Sequence, residues 1–252
     1  MRRWLLPVLA IIAMLGIWEL YVKASGVSSL VLPSPVDVVR ALVDDRTTLW
    51  HNLKPTAAEI LLGIVLGTAC ALLVAVAMHF SSVVRETLYP LLVSSQAIPI
   101  PIIAPLLVVW LGFGPLPKLV VVALVSYFPI VVTTLSALAA VDPDLSKLLR
   151  TFDAGRWQTF RRIELPSALP GVFSGAKVAV VVAVIAALLG EQAASSSGLG
   201  YLLTVTVANL EMSEAFASVF VLAAFAILLF ALLTLAERRT LPWAHRPKSS
   251  ET

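Results

Sequence analysis

The sequence has few charged residues, a single cysteine and no enzyme signature. Only 13% of its 252 residues are charged, about half the share in an ordinary soluble domain, which excludes a soluble protein of normal surface. One cysteine excludes a disulfide framework and a cysteine-rich metal site. The formal charge of +3 is too small to indicate a nucleic-acid binder. The three histidines are isolated and there is no G-x-x-x-x-G-K phosphate loop, so we expect neither catalysis nor a bound metal or cofactor.

Hydrophobic residues make up 59% of the chain, and the mean hydropathy is +0.95. This composition predicts an all-α integral membrane protein, with about 20 apolar residues for each helix that crosses the bilayer. Apolar runs with at most one charged residue predict six transmembrane helices: 4–22, 60–78, 88–116 (broken by prolines), 119–141, 165–190 and 215–236. The first run also resembles a secretory signal, because Arg2 and Arg3 precede it. Apolar residues continue past Glu19 without a small-x-small cleavage site, which favours a retained helix.

Two further features concern the membrane surface. Ser34 and Pro35 are typical of a helix start, so we expect a short surface helix between the first two spans. With the N-terminus inside, the inside segments hold twelve Lys and Arg residues and the outside segments five (Lys23, Arg40, Arg46, Lys54 and Lys118). This bias predicts that both termini are cytoplasmic.

The longest cytoplasmic loop, residues 142–166, contains two helical patterns. The first follows Asp144, and the second places Trp157, Phe160 and Ile163 near one helix face. A turn at residues 152–155 separates them. The loop is therefore predicted to be a helix-turn-helix outside the bilayer, with an apolar patch that requires a partner surface.

The motifs of this loop resemble a known family. Arg156-Trp157-Gln158, Phe160, Ile163-x-Leu165-Pro166 and Pro170 look like the EAA loop of binding-protein-dependent ABC importer permeases. Lys147-Leu148-Leu149 stands where that family has Glu-Ala-Ala, and Asp153 stands where it has glycine. Asp tolerates a left-handed backbone better than most residues, so the turn can survive.

Other motifs place the resemblance in the nitrate, sulfonate and taurine branch. They are Leu32-Pro33-Ser34-Pro35, Ile98-Pro99-x-Pro101-x-x-Ala104-Pro105, Gly112-Phe113-Gly114, Phe128-Pro129, Gly190-Glu191 and Leu241-Pro242-Trp243. Within the branch, Gly190-Glu191-Gln192 followed by Gly198-Leu199-Gly200-Tyr201 is most similar to permeases for thiamine pyrimidine precursors and riboflavin. The resemblance also leaves nitrate, aliphatic sulfonates and taurine open as substrates.

The resemblance implies a type I permease in the cell (inner or plasma) membrane. Its implied partners are the lipid bilayer, a cytoplasmic ABC ATPase dimer that binds the ATP, a periplasmic or lipid-anchored solute-binding protein and a second copy of the chain. We expect an N-terminal helix with a surface helix at 1–53, a transmembrane domain at 54–237 and a cytoplasmic tail at 238–252. The sequence leaves an ion-coupled secondary carrier as a second class, although few charges lie in the spans.

Two sets of site residues follow. By resemblance, the ATPase-coupling residues are Arg150, Asp153, Ala154, Gly155, Arg156, Trp157, Phe160, Ile163, Leu165 and Pro166, with Trp157 and Phe160 as anchors. Polar and helix-breaking residues in the spans predict a translocation path at Gln96, Pro99, Pro101, Tyr127, Phe128, Glu191 and Gln192. Lys177, inside the fifth span, is expected either to line this path or to snorkel to the cytoplasmic interface.

Overall fold

The computed structural model describes residues 2–245, and these form helices joined by short loops with no β-strand among them. The predicted tail residues 246–252 lie outside the described residues. The α-helices are α1 (Arg2–Ser25), α2 (Pro35–Asp44), α3 (Arg46–Phe80), α4 (Ser82–Ser95), α5 (Ile100–Leu111), α6 (Pro115–Ala139), α7 (Pro143–Thr151), α8 (Arg156–Thr159), α9 (Leu165–Ala194), α10 (Leu199–Ala208) and α11 (Met212–Thr240). A π-helical turn (Phe160–Glu164) joins α8 to α9, and a 3₁₀ turn (Pro242–His245) follows α11.

Five of the described helices, or segments of them, are long and apolar enough to cross a membrane. The pair α4 and α5 forms a sixth span when taken together, although the two helices bend by 101° at their junction. The six predicted spans are therefore confirmed, and the third is broken where Pro99 and Pro101 follow Gln96. Proline lacks the backbone N–H that would continue a helix, which accounts for the break at this point.

The predicted short helix between the first two spans is present as α2, and the helix that contains the second span begins earlier than its apolar run. The Ser34 hydroxyl accepts from the Asp37 N–H at 3.2 Å, while the Ser34 N–H donates to the Asp37 carboxylate at 3.2 Å, so a capping box starts α2. Only Asp45 separates α2 from α3, which begins at Arg46 instead of near residue 60. α3 continues through Pro55 and across the expected domain boundary at 53/54, because a helix packed on its neighbours tolerates an internal proline.

Small residues allow α3, α6 and α9 to pack closely as the centre of the fold. Gly63 and Gly67 of α3 face α6, and a Cβ atom added at Gly67 would lie 2.8 Å from the Ala123 carbonyl oxygen. Gly171 and Gly175 of α9 face α6 from the other side in the same way. The small-xxx-small interpretation of Gly63 and Gly67 is confirmed, and the second pair repeats it.

Candidate functional site

Residues 142–166, hereafter the coupling segment, form the predicted helix-turn-helix. α7 and α8 are separated by the turn at 152–155, and Asp153 there has φ = 60°. Asp153 therefore adopts the left-handed backbone that aspartate tolerates better than most residues, as the turn was expected to require. The π-helical turn then leads into α9, so the segment is continuous with a membrane span. Arg150 lies in α7, but its side chain is outside the described part of the structure.

Phe160 lies inside the chain. It is 2% exposed, and its ring packs 5.1 Å from Phe80, 5.4 Å from His79 and 5.5 Å from Trp157, measured between ring centroids. Leu138 and Ala168 complete this cluster. Phe160 therefore stabilises the coupling segment from within, which differs from the sequence prediction that it anchors a partner.

The coupling segment leaves a different set of apolar side chains uncovered. Phe152 is 79% exposed, Trp157 is 60% exposed, and Leu145 and Leu148 of α7 are exposed as well. We call these four residues the exposed apolar face. Sequence reasoning assigned Phe152 only to a turn, although an aromatic residue in a polar cytoplasmic turn is itself a signal for a contact surface.

Polar contacts attach the coupling segment to the end of α3. Nη2 of Arg156 donates to the His79 carbonyl oxygen at 3.3 Å, and its guanidinium lies 5.1 Å from the centre of the Phe80 ring. Oε2 of Glu164 lies 2.7 Å from Nε2 of His79. The coupling segment is thus held by α3 in addition to its covalent link to α9.

The predicted path residues lie in two separate places. At the bend between α4 and α5, Gln96 donates to the Ser95 hydroxyl at 3.2 Å, and that hydroxyl lies 3.2 Å from the Tyr127 hydroxyl. Tyr127 also borders an apolar pocket of about 330 Å³ between α3 and α6, which Cys70 and Val74 help to line. Phe128 is half-buried, and Pro99 and Pro101 are exposed at the bend.

Glu191 lies elsewhere, at the end of the fold opposite the coupling segment. It is 1% exposed, and its carboxylate accepts from the Thr56 hydroxyl and from the Gly200 N–H, each at 2.6 Å. The Thr56 hydroxyl accepts from the Leu199 N–H at 2.9 Å. Glu191 therefore holds the loop after α9 in place, and its neighbour Gln192 is exposed.

Glu191 belongs to a larger polar group, which we call the distal cluster: Asn52, Thr56, Glu59, Lys118 and Glu191. Lys118 forms a buried ion pair with Glu59 and donates to the Ser195 hydroxyl at 3.1 Å. Asn52 accepts from the Gly198 N–H at 2.9 Å. The cluster thereby joins α3, α6 and α9 to residues 195–200, which comprise the loop after α9 and the first two residues of α10 and are called the loop at 195–200 below.

The distal cluster borders a cavity of about 600 Å³ that Phe113 and Ser195–Ser197 also line. Sequence reasoning missed Asn52, Thr56 and Glu59, although their spacing of four and three residues places them on one helix face. It also assigned Lys118 to a loop, whereas this side chain is buried.

Lys177 is engaged in an ion pair and lies apart from the predicted path residues. Its ammonium group pairs with the Glu237 carboxylate on α11 and lies 6.0 Å from the centre of the Phe230 ring. Across residues 2–245, no three His, Cys, Asp or Glu side chains come together in a way that would hold a metal ion.

Comparison with known proteins identifies the family. The family described as "Binding-protein-dependent transport system inner membrane component" matches residues 60–242. The chain is 34% identical to "Formylaminopyrimidine transport permease protein ThiX" of Halalkalibacterium halodurans, over 94% of this chain and 95% of that protein. It is 31% identical to "Riboflavin transport system permease protein RibX" of Chloroflexus aurantiacus, over 94% of this chain and 89% of that protein.

A solved structure has the same fold. "Crystal structure of an amino acid ABC transporter with histidines" superposes with a TM-score of 0.62 at 16% sequence identity, covering 79% of this chain and 96% of that chain. At this identity the likeness concerns the fold alone, and it agrees with the type I architecture that the sequence predicts. The chain belongs to the binding-protein-dependent transport system inner membrane components, and it is an inner-membrane permease subunit of an ABC importer.

Proposed function

We propose that this permease carries a thiamine pyrimidine precursor of the formylaminopyrimidine type across the membrane, as one half of a homodimer. The observation that carries the substrate is the 34% identity to a formylaminopyrimidine permease over nearly the whole of both chains. A cytoplasmic ATPase dimer hydrolyses the ATP, and a periplasmic or lipid-anchored binding protein delivers the solute. Riboflavin is the second candidate, because the riboflavin permease relative is 31% identical.

The apolar pocket beside Tyr127 supports a flat, uncharged solute. Its lining of Leu66, Gly67, Cys70, Val74, Val120, Ala123, Leu124 and Tyr127 contains no charged side chain. A tyrosine ring in such a lining stacks well on a heterocycle. A sulfonate, taurine or nitrate ion would lose its hydration there without a cation to replace it, so these alternatives are less favoured.

The exposed apolar face supports docking of the ATPase on the coupling segment. Phe152 and Trp157 expose large rings on the segment that, by resemblance, docks on the ATPase, and aromatic residues are enriched among the residues that dominate the binding energy of interfaces. Each copy carries one coupling segment, whereas the ATPase acts as a pair, so two copies are required.

The position of the C-terminal end supports a cytoplasmic C-terminus. Trp243 and Ala244, after the last span, line a pocket together with Leu145, Ile163 and Pro166 of the coupling segment. The end of the described chain therefore lies on the same side of the membrane as the segment. With six spans, the N-terminus lies on that side too.

Substrate competition tests the substrate. The permease, its ATPase and its binding protein are reconstituted in liposomes, and uptake is measured separately for labelled formylaminopyrimidine, riboflavin, taurine and nitrate. Uptake of labelled formylaminopyrimidine is then measured again with a hundredfold excess of each of the four unlabelled solutes. We expect the label to be taken up and no competitor except formylaminopyrimidine itself to block it. Uptake of taurine or nitrate in place of the pyrimidine would overturn the proposal, and uptake of riboflavin alone would select the second candidate.

The oligomeric state is tested separately by native mass spectrometry of the purified permease with its ATPase. Two copies of this chain with two ATPase subunits are expected. A complex holding one copy beside a different permease chain would contradict the homodimer.

A further inference from the structure

α3 is one unbroken helix of 35 residues with a bonded cluster at each end. From Thr56 to His79 it spans about 35 Å, at 1.5 Å per residue. Between these residues it approaches α6 closely at Gly63 and Gly67. Close-packed interiors have low compressibility and transmit strain, so a displacement at one end of the packed part of α3 reaches the other end.

The end of α3 at His79 is fixed to the coupling segment by several independent contacts. His79 pairs with Glu164 at 2.7 Å, and its carbonyl oxygen accepts from Arg156 at 3.3 Å. The Phe80 ring packs against Phe160 at 5.1 Å between centroids. Any displacement of the coupling segment therefore also displaces the end of α3.

The π-helical turn at Phe160–Glu164 lies between α8 and α9. Its wider hydrogen-bond pattern interrupts the regular helix, and such turns are frequent at functional sites. Glu164, the residue that bonds His79, is the last of this turn. The noncovalent contact between Glu164 and His79 therefore provides a second mechanical route out of the coupling segment, beside its covalent link to α9.

The other end of α3 holds the backbone of the loop at 195–200. Asn52 accepts from the Gly198 N–H at 2.9 Å, and Thr56 accepts from the Leu199 N–H at 2.9 Å. Thr56 also donates to Glu191 at 2.6 Å. Two backbone amides of one loop thus bond directly to α3, and a shift of α3 along its axis must strain or move that loop.

We infer that α3 transmits the ATP-driven movement of the coupling segment to the loop at 195–200, with the His79–Glu164 bond and Thr56 as positioning residues at its two ends. The inference rests on the proposed function, because it needs an ATPase on the coupling segment. The loop at 195–200 then controls the cavity beside the distal cluster, which lies on the side where the solute arrives. Docking of the solute-loaded binding protein is in turn transmitted to the ATPase through the same helix.

The test measures how far solute-loaded binding protein stimulates ATP hydrolysis by the reconstituted complex. Glu164→Ala removes the side-chain bond to His79 at one end of α3, and Thr56→Val removes the hydroxyl contacts at the other end. Each change is expected to lower the stimulation about tenfold, which lies within the usual range of allosteric coupling. Thr56→Ser keeps the hydroxyl and is expected to restore the stimulation. Lys23→Ala, in an exposed ion pair on α1, is the control and is expected to leave stimulation unchanged.

The double variant Glu164→Ala/Thr56→Val separates transmission from simple destabilisation. The two sites are about 35 Å apart along one helix, so their effects on thermal stability should add. Their effects on stimulation should not multiply, because either change already interrupts transmission along α3. A double variant near a tenfold loss supports the inference, whereas about a hundredfold loss, or single variants that behave like wild type, overturns it.

Failure of the proposed function has a different signature. In that case the wild-type complex itself shows no stimulation by loaded binding protein. Stimulation of the wild type together with unchanged stimulation in both single variants would contradict only the role of α3.

Discussion

The coupling segment contains one exposed and one buried phenylalanine. The same substitution should weaken ATPase binding at the first and folding stability at the second. Phe152 is 79% exposed and Phe160 is 2% exposed. A phenylalanine buries about 200 Å² when fully covered, so Phe152 offers a partner roughly 160 Å². At about 25 cal/mol per Å² this is an upper value of about 4 kcal/mol.

Phe152→Ala should therefore weaken binding of the ATPase while leaving the permease folded. Interface aromatics typically contribute about 2–4 kcal/mol, which corresponds to at least a thirtyfold increase in Kd. Phe160→Ala instead removes the centre of the aromatic cluster with Phe80 and His79. Truncation of a buried phenylalanine lowers the free energy of unfolding by about 3–5 kcal/mol.

Both variants are purified in detergent, and their thermal unfolding is compared with that of wild type. The Kd for the purified ATPase is measured with each permease immobilised on a surface. Phe152→Ala should unfold like wild type but bind poorly, and Phe160→Ala should unfold at a clearly lower temperature. Wild-type binding of the ATPase by Phe152→Ala would contradict a role of Phe152 in the contact. Wild-type stability of Phe160→Ala would contradict the stabilising role of the buried ring.

Three further predictions concern other parts of the chain. Gly198→Ala should lower the free energy of unfolding by at least about 1–3 kcal/mol, because Gly198 has φ = 110° and a Cβ there would overlap the Glu191 carboxyl group; Gly26→Ala, in open space at φ = 65°, should lower the melting temperature less, and equal shifts would contradict this. Lys177→Met should destabilise by up to about 3–5 kcal/mol by leaving the buried Glu237 without its half-buried partner, and Lys177→Met/Glu237→Gln should recover most of the loss in thermal unfolding; a double variant less stable than the single would count against the pair. Alkylation of the exposed Cys70 should inhibit uptake and proceed more slowly with solute present, whereas full uptake after complete labelling would remove the pocket from the path.

Local patterns predicted the helices well because hydropathy and capping are local properties. The apolar runs located every span, and a capping box of Ser34 and Asp37 stands at the helix start that Ser34 and Pro35 predicted. Asp153 adopts the left-handed turn that the resemblance required. These features depend on neighbours within a few residues.

The distal cluster could not be predicted in this way because its members are distant in sequence. Thr56 and Glu191 are separated by 135 positions, yet their side chains bond directly. Lys118 looked like a loop residue because its partner Glu59 comes from another helix. The burial of Phe160 likewise depends on Phe80, which no periodicity within the coupling segment reveals.

The energy source of uptake distinguishes an ATP-driven importer from an ion-coupled carrier. Liposomes containing the permease, with or without its ATPase, are loaded with ATP and supplied with solute-bound binding protein, and uptake of the labelled solute is followed with and without an ion gradient. The permease is predicted to accumulate solute only with ATPase, ATP and binding protein together, and to do so without a gradient. Uptake by the permease alone, driven by an ion gradient, would identify a secondary carrier and contradict ATP-driven import.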